Sequence, residues 1–312
     1  MKANRERFKS ALQSALPFLA LILVVVIFQI ATGGQMLSMD NFRPFVREAF
    51  TILLGAAGLA FILSQGAFDF SIAAGVAFSA AVGAHAATIS VYLILPVTVM
   101  CGLLIGLANG IIYGVLKVNA FITTLAMSFV LEGLVVLVLG NGSLSVPFEV
   151  LAWDSIELRV VVMVVICVVG YVLFEKTRVG KECKLVGTNP EFARQSGVNV
   201  AWVKIRSYLI MGVIVGIVAF FCLIRSATAS TSTGAGFNNN ALNSVLLGGM
   251  AITGGATSKF RSAVIGALVM SVLALGMNKC GIEAHTQQLI EGLVFLVAVA
   301  MTFDRENTAV VK

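Results

Sequence analysis

Residues 70–116 run for 47 positions without a lysine, arginine, aspartate or glutamate, and only His85 interrupts them. Wound as one α-helix at 1.5 Å per residue, this stretch would be about 70 Å long. A bilayer's hydrocarbon core is only about 30 Å thick. The run must therefore turn back, and the turn is expected near residues 85–92, where Thr88 and Ser90 break the apolar pattern. No soluble fold of this size needs two such segments in succession. Composition agrees: 12% of residues are charged, 59% are hydrophobic, and mean hydropathy is +0.99. So polar-poor a chain cannot coat a water-soluble globule, and it is far too apolar for disorder.

Other charge-poor runs supply the remaining spans. Residues 10–39, 49–68, 119–140, 159–174, 205–225, 241–252, 262–277 and 286–302 each hold one candidate. With the two halves of 70–116, the expectation is an all-α polytopic membrane protein of about ten transmembrane helices. The eighth segment is short and glycine-interrupted, which marks a broken or partial helix. Ten spans use about 200 residues. What is left makes loops, so residues 1–312 read as one transmembrane domain with no room for a soluble catalytic domain.

With the N-terminus placed in the cytoplasm, alternation puts 16 of the 21 basic residues on the inner side. Only Arg43, Arg47, Arg159, Arg225 and Lys279 fall outside. This asymmetry sets the orientation, with both termini cytoplasmic. It also identifies the +6 net charge as a membrane-topology signal and not a nucleic-acid footprint. The basic start and apolar run of residues 1–30 lack a prompt A-x-A site and read as a retained first helix. Five scattered cysteines without a C-x-x-C pair suggest neither a disulfide framework nor a metal site; they read as small buried hydrophobes. His85 and His285 are isolated, so no metal is expected.

Within the spans, Gly102, Gly106, Gly110 and Gly114 repeat every four residues and share one helix face. Such a face lets a neighbouring helix approach to backbone contact, and it would serve close packing or sliding equally. Leu131-Glu132-Gly133-Leu134-Val135 is echoed by Ile290-Glu291-Gly292-Leu293-Val294 in an oppositely directed span, which suggests an inverted repeat. Glu132 and Glu291 are the sharpest chemical feature, because ionisable groups in spans are costly. Three roles stay open for them: a structural carboxylate capped or paired with Arg225, a polar contact along a substrate path, or proton coupling. Asp69 and Ser71 can cap the start of a helix or join Asn109, Phe121, Thr123 and Asn243 along a path for a polar solute.

Residues 175–204 form the longest inner loop and are rich in lysine and arginine. Asn189-Pro190 starts a short helix there and Gly197 stops it. That helix is a docking element for a soluble partner or a basic loop on anionic lipid. Residues 254–259 are glycine-rich but lack phosphate-loop spacing. No nucleophile–base set occurs, so the chain reads as a non-enzyme.

Four stretches together resemble the ribose-type, simple-sugar permease subunits of bacterial ATP-binding-cassette importers. They are residues 66–75; Gly106-Leu107-Ala108-Asn109-Gly110 with Val118-Asn119-Ala120-Phe121-Ile122-Thr123-Thr124-Leu125; residues 180–200; and residues 246–255 with 260–266. The resemblance implies an inner-membrane importer subunit that pairs with a second copy or a paralogue and receives a monosaccharide from an extracytoplasmic solute-binding protein. It implies a coupling helix around Gly187, Asn189, Glu191, Ala193, Arg194, Ser196 and Gly197 that docks on an ATPase subunit, which would bind ATP and Mg. The chain departs from the family where Asp69-Phe70-Ser71-Ile72-Ala73 replaces the usual Asp-Leu-Ser-Val-Gly. It departs again where Glu132 and Glu291 replace basic residues. The rival expectation is a proton-coupled secondary transporter using those two glutamates.

Overall fold

In hydrocarbon, every backbone N–H and C=O must be paired within the protein, so apolar runs become helices. The computed structural model describes residues 2–140 and 142–302 and follows this rule closely. Its α-helices are α1 (Lys2–Ala31), α2 (Phe42–Leu63), α3 (Ile72–Ala87), α4 (Ile94–Gly114), α5 (Ala120–Leu139) and α6 (Ile156–Tyr171). They continue with α7 (Arg178–Thr188), α8 (Pro190–Gln195), α9 (Val200–Ser226), α10 (Phe237–Leu247), α11 (Phe260–Lys279) and α12 (Ala284–Thr302). A π-turn, Val172–Lys176, extends α6. Among the described residues, the expected all-α class is modified by a three-residue antiparallel ribbon, β1 (Ser143–Ser145) with β2 (Thr228–Ser230).

Local sequence explains the boundaries. Asn119 starts α5 by accepting from the Phe121 N–H, and Gly140 ends it in the left-handed conformation at φ +62°. Asn199 caps α9 through the Trp202 N–H. The expected span 49–68 is displaced: α2 starts at Phe42 and ends at Leu63. Its charged first turns are tolerated because Arg47 reaches Asp154 at 3.5 Å, and Gly66 at φ +70° leads the chain away from the helix.

Among the described residues, six helical segments are long and apolar enough to cross a membrane: Met39–Leu63, Val91–Gly114, Ala120–Leu139, Ile156–Lys176, Val200–Ser226 and Phe260–Lys279. Pro17–Ala31 and Ile72–Ala87 are shorter apolar helices. Each of the ten expected segments coincides with a helix, α1–α6 and α9–α12, and six of these are full-length candidates. At 11 residues, α10 rises only about 16 Å. It stops because residues 248–259 contain Gly249, Gly254 and Gly255, all at positive φ. Arg305, Lys312 and the C-terminal residues expected inside lie outside the described residues.

Packing is organised by exchange. The helix α4 lies along α9, and α11 lies along α2. Likewise α3 packs on α4 and α9, while α10 packs on α11 and α2. Finally α5 covers α3 as α12 meets α10, and α2 touches α9 in the centre. The glycine ladder explains the first pair. Gly110 would place a Cβ 2.8 Å from Ile205 Cα, and Gly114 one 2.9 Å from the Ala201 carbonyl. Gly102 and Gly106 sit directly against the backbones of Gly212 and Tyr208.

One end of the bundle gathers residues 64–66, 174–206 and 248–261, and it carries the basic loop. The other gathers the ribbon and residues 148–159. There Arg159 is buried, with its Nε 2.6 Å from Asp154 and its guanidinium 5.0 Å from both the Phe50 and Phe221 rings. This buried cation pins α6 to α2 and α9. The cysteines are free; Cys183 is buried as expected, whereas Cys280 is exposed.

Candidate functional site

Two groups of residues stand out, one inside the bundle and one at its basic end. The inner group surrounds residues 64–71, where the chain leaves α2 and enters α3. Non-helical backbone at this depth needs partners from side chains. The Tyr208 hydroxyl donates to the Phe68 carbonyl at 2.7 Å. The Phe70 N–H donates to Thr124 Oγ1 at 3.1 Å. The Asn238 side chain bridges both sides of the break, donating to the Phe70 carbonyl at 2.6 Å and accepting from the Ala73 N–H at 2.8 Å. The N-termini of α3 and α10 therefore meet in the bundle interior, joined by one asparagine.

Asp69, Ser71 and Asn109 are brought together here. Asp69 Oδ1 accepts from the Ser71 N–H at 2.9 Å and from its hydroxyl at 2.6 Å, while Asn109 Nδ2 donates to Ser71 Oγ at 2.8 Å. This modifies the capping expectation: Ser71 is the N-cap of α3 but makes no side-chain cap bond, and Asn238 supplies one from another helix. Phe121 packs edge-on against Phe70 with centroids 5.3 Å apart. Between Asp69, Ser71, Asn109 and Tyr208 lies a cavity with room for little more than one water. The cluster is a structural knot that holds the helix break, not a pocket that could enclose a sugar.

The remaining expected path residues are not gathered into it. Thr123 and Asn243 are buried elsewhere on α5 and α10. Glu132 lies eight residues beyond Thr124, about 12 Å along α5, on its exposed face. Its carboxylate accepts from Ser128 Oγ at 2.9 Å, one turn below. Among the described residues, Arg225 forms no ion pair with Glu132 or Glu291, so the expected arginine pairing is not made. Each glutamate sits seven residues from its helix end, Leu139 or Ala284, and both ends belong to the face opposite the basic loop. The two carboxylates thus share a depth, about 10 Å in.

At the basic end, α8 is a short, capped and largely exposed helix. Asn189 Oδ1 accepts from the Glu191 and Phe192 N–H groups at 2.9 and 3.1 Å, Pro190 occupies the first turn, and Gly197 ends the helix at φ +82°. Ala193 is fully buried and anchors it. Glu191, Arg194, Ser196 and Gly197 are exposed, with Arg194 donating to both Glu191 oxygens at 2.9 Å. Phe192, 57% exposed, projects from the same helix. It is missing from the residues that the sequence marks for docking, although an aromatic beside a capped helix start is a visible signal.

From α7, on which α8 packs, and from the π-turn, contacts run into three bundle helices. Gly187 sits against the Ser64 carbonyl at the end of α2, with a Cβ position 2.8 Å from Gly255 N. Glu175 accepts from Lys184 Nζ at 2.6 Å and from the Phe260 N–H, at the start of α11, at 2.8 Å. Arg206 of α9 donates to Glu182 at 2.8 Å. Gln65 adds a bond of 2.6 Å to Ser207, with the Cys183 sulfur 3.6 Å away. Burial pushes the Cys183 thiol up to about 12, so at neutral pH it is a packing group and not a nucleophile.

Comparison with known proteins gives a consistent picture. Residues 42–299 match the family described as branched-chain amino acid transport system / permease component. The galactose/methyl galactoside import permease protein MglC of Salmonella typhimurium is 29% identical over 310 residues, covering 91% of each chain. The ribose import permease protein RbsC of Escherichia coli is 26% identical, covering 95% of this chain and 96% of its own. The L-arabinose ABC transporter permease protein AraH of Azospirillum brasilense is 30% identical over 274 residues, 81% of this chain and 76% of its own. No solved structure matches the chain.

Proposed function

Because this chain belongs to the family of branched-chain amino acid transport system permease components, we propose that it is the membrane subunit of an ATP-driven importer that passes a monosaccharide into the cytoplasm. It is a multi-pass membrane protein, and the reading places its basic end on the cytoplasmic side of a bacterial inner membrane. The observation that carries the reading is α8, a capped, exposed helix seated on α7, with α7 and the π-turn in turn joined by backbone and ion-pair contacts to α2, α9 and α11. Such an element suits contact with a separate soluble subunit. A separate ATPase subunit would hold ATP and Mg and press on α8. A solute-binding protein outside would deliver the substrate, and the names of the three relatives point to a sugar.

The exchange of packing partners described above supports an inverted repeat, with α2–α5 answered by α9–α12, and ten membrane-directed segments including the two shorter helices α3 and α10. The glutamate echo is a different matter. An inverted repeat exchanges depths, whereas Glu132 and Glu291 share one. They instead fit a surface on α5 and α12 covered by a second copy or a paralogue, since an exposed carboxylate facing lipid is costly. Gly133 and Gly292 beside them have open space where a Cβ would go.

Uptake of ribose, galactose or arabinose into vesicles carrying the whole transporter tests the reading. Depleting ATP is expected to stop uptake, and collapsing the proton gradient with ATP present to leave it intact. Uptake that follows the gradient, and is lost in the Glu132→Gln, Glu291→Gln double variant, would establish the proton-coupled alternative. Docking makes a second prediction. Phe192→Asp is expected to reduce recovery of the ATPase with the permease by roughly tenfold, the effect of losing an exposed aromatic anchor. Permease abundance should not change, because Phe192 lies outside the core. Undiminished recovery would remove α8 from the docking surface.

A further inference from the structure

We propose that the groove between α1, α6 and α11 binds an anionic phospholipid, its phosphate on Arg261 and Lys176 and one acyl chain along the groove. The groove measures about 410 Å³ and is lined by Phe18, Cys167, Val168, Tyr171, Val264 and Ile265, with Phe260 as its floor and Arg261 at its basic end. Its walls are almost wholly apolar and open toward the membrane, so hydrocarbon fills it better than water. The floor exists because Gly170 lets the Phe260 ring lie on α6; a Cβ there would be 2.5 Å from the ring.

The head-group end is where the chemistry becomes specific. The Phe260 N–H is bonded to Glu175, so Arg261 and Lys176 flank one contact between α11 and the end of α6. The π-turn sets the second cation. In a continued α-helix, Lys176 would lie about 140° round from Tyr171, five residues back. The wider turn brings its Nζ 5.9 Å from the Tyr171 ring centroid, at the lip of the groove. Glu175 does not neutralise the pair, since its two oxygens are taken by Lys184 and the Phe260 N–H. Among the described residues, neither Arg261 nor Lys176 has an ion-pair partner. Two exposed cations above a membrane-open apolar slot fit a lipid phosphate with its chain below; basic pockets between transmembrane helices take such head groups.

The test uses the full-length protein in phosphatidylcholine vesicles. These carry a trace of phosphatidylglycerol with a photoactivatable acyl chain or, in parallel, phosphatidylcholine with the same chain. Labelled peptides are then mapped by mass spectrometry. The phosphatidylglycerol probe is expected to label residues 164–171 and 261–268 roughly fivefold more than the phosphatidylcholine probe, the preference expected of a basic side chain near anionic lipid. The Arg261→Ala, Lys176→Ala double variant should erase that excess while background labelling of α4 and α5 persists. Should that variant fold poorly, Val264→Trp keeps both charges, fills the slot and should itself abolish labelling of residues 164–171. Equal labelling by the two probes, an excess that survives the double variant, or an excess removed by inorganic phosphate would overturn the proposal.

Discussion

Gly106→Leu is expected to leave no folded protein in the membrane. Gly106 faces the Tyr208 backbone across the α4–α9 contact, and any side chain would have to push the two helices apart. No flexible side chain is available to give way, because the obstacle is backbone. Overpacking a tight core commonly costs up to about 3 kcal/mol, and this site sits at the high end because Gly102 and Gly110 are equally tight. Helices in membranes gain little from burying apolar surface against each other, so lost contact is poorly compensated. Gly133→Leu is the matched control: the same substitution in a span, but with nothing within 4 Å of the added Cβ. Size-exclusion profiles of tagged protein from membranes would compare the two. If Gly106→Leu gives a wild-type profile and unfolding temperature, the α4–α9 contact is looser than described.

Gly187→Val should produce the second large effect, of a different kind. The glycine sits where α7 meets the end of α2 and residues 248–259; an added Cβ would lie 3.0 Å from Gln65 Cα and nearer still to the Ser64 carbonyl. A branched side chain would separate these three elements. The exposed face of α8 would be untouched, so the ATPase should still be recovered with the permease. Transport should fall by roughly tenfold, within the range for losing a coupling free energy of about 1–3 kcal/mol. Loss of ATPase recovery together with transport would mean that Gly187 supports folding of the docking loop and not transmission. Gly197 offers a contrast: it has open space around it, and its φ of +82° makes a substitution cost about 1–2 kcal/mol of backbone strain alone.

Much of this architecture is legible in residue patterns because hydrocarbon allows few alternatives. The turn at residues 85–92, the capped helix at Asn189 and the glycine face of α4 all follow from short-range rules. The interior knot does not. Asp69 and Ser71 are recognisable as a helix start, but the cap from Asn238 is 165 residues away, and no spacing rule reaches that far. The Asn238-Asn239-Asn240 run before an apolar segment is the available signal. Hydropathy measures apolarity and not whether a helix continues, but the glycines after the eighth segment mark it as short, and α10 stops where they allow positive φ. The carboxylate echo misleads for a related reason, since similarity of sequence says nothing about depth until helix directions and ends are known.

The central position of α2 has a consequence for biogenesis. Most of its surface is enclosed by α9, α10 and α11, none of which has emerged when α2 is synthesised. From the end of α2 at Leu63 to the start of α9 at Val200, the ribosome adds over 130 residues, on the order of ten seconds of elongation. Arg47 waits through most of that time for Asp154. During the interval α2 is a charged, partnerless segment that the insertion machinery, and not the finished bundle, has to shelter. The order of translation thus makes α2, rather than the last helix, the step on which assembly depends.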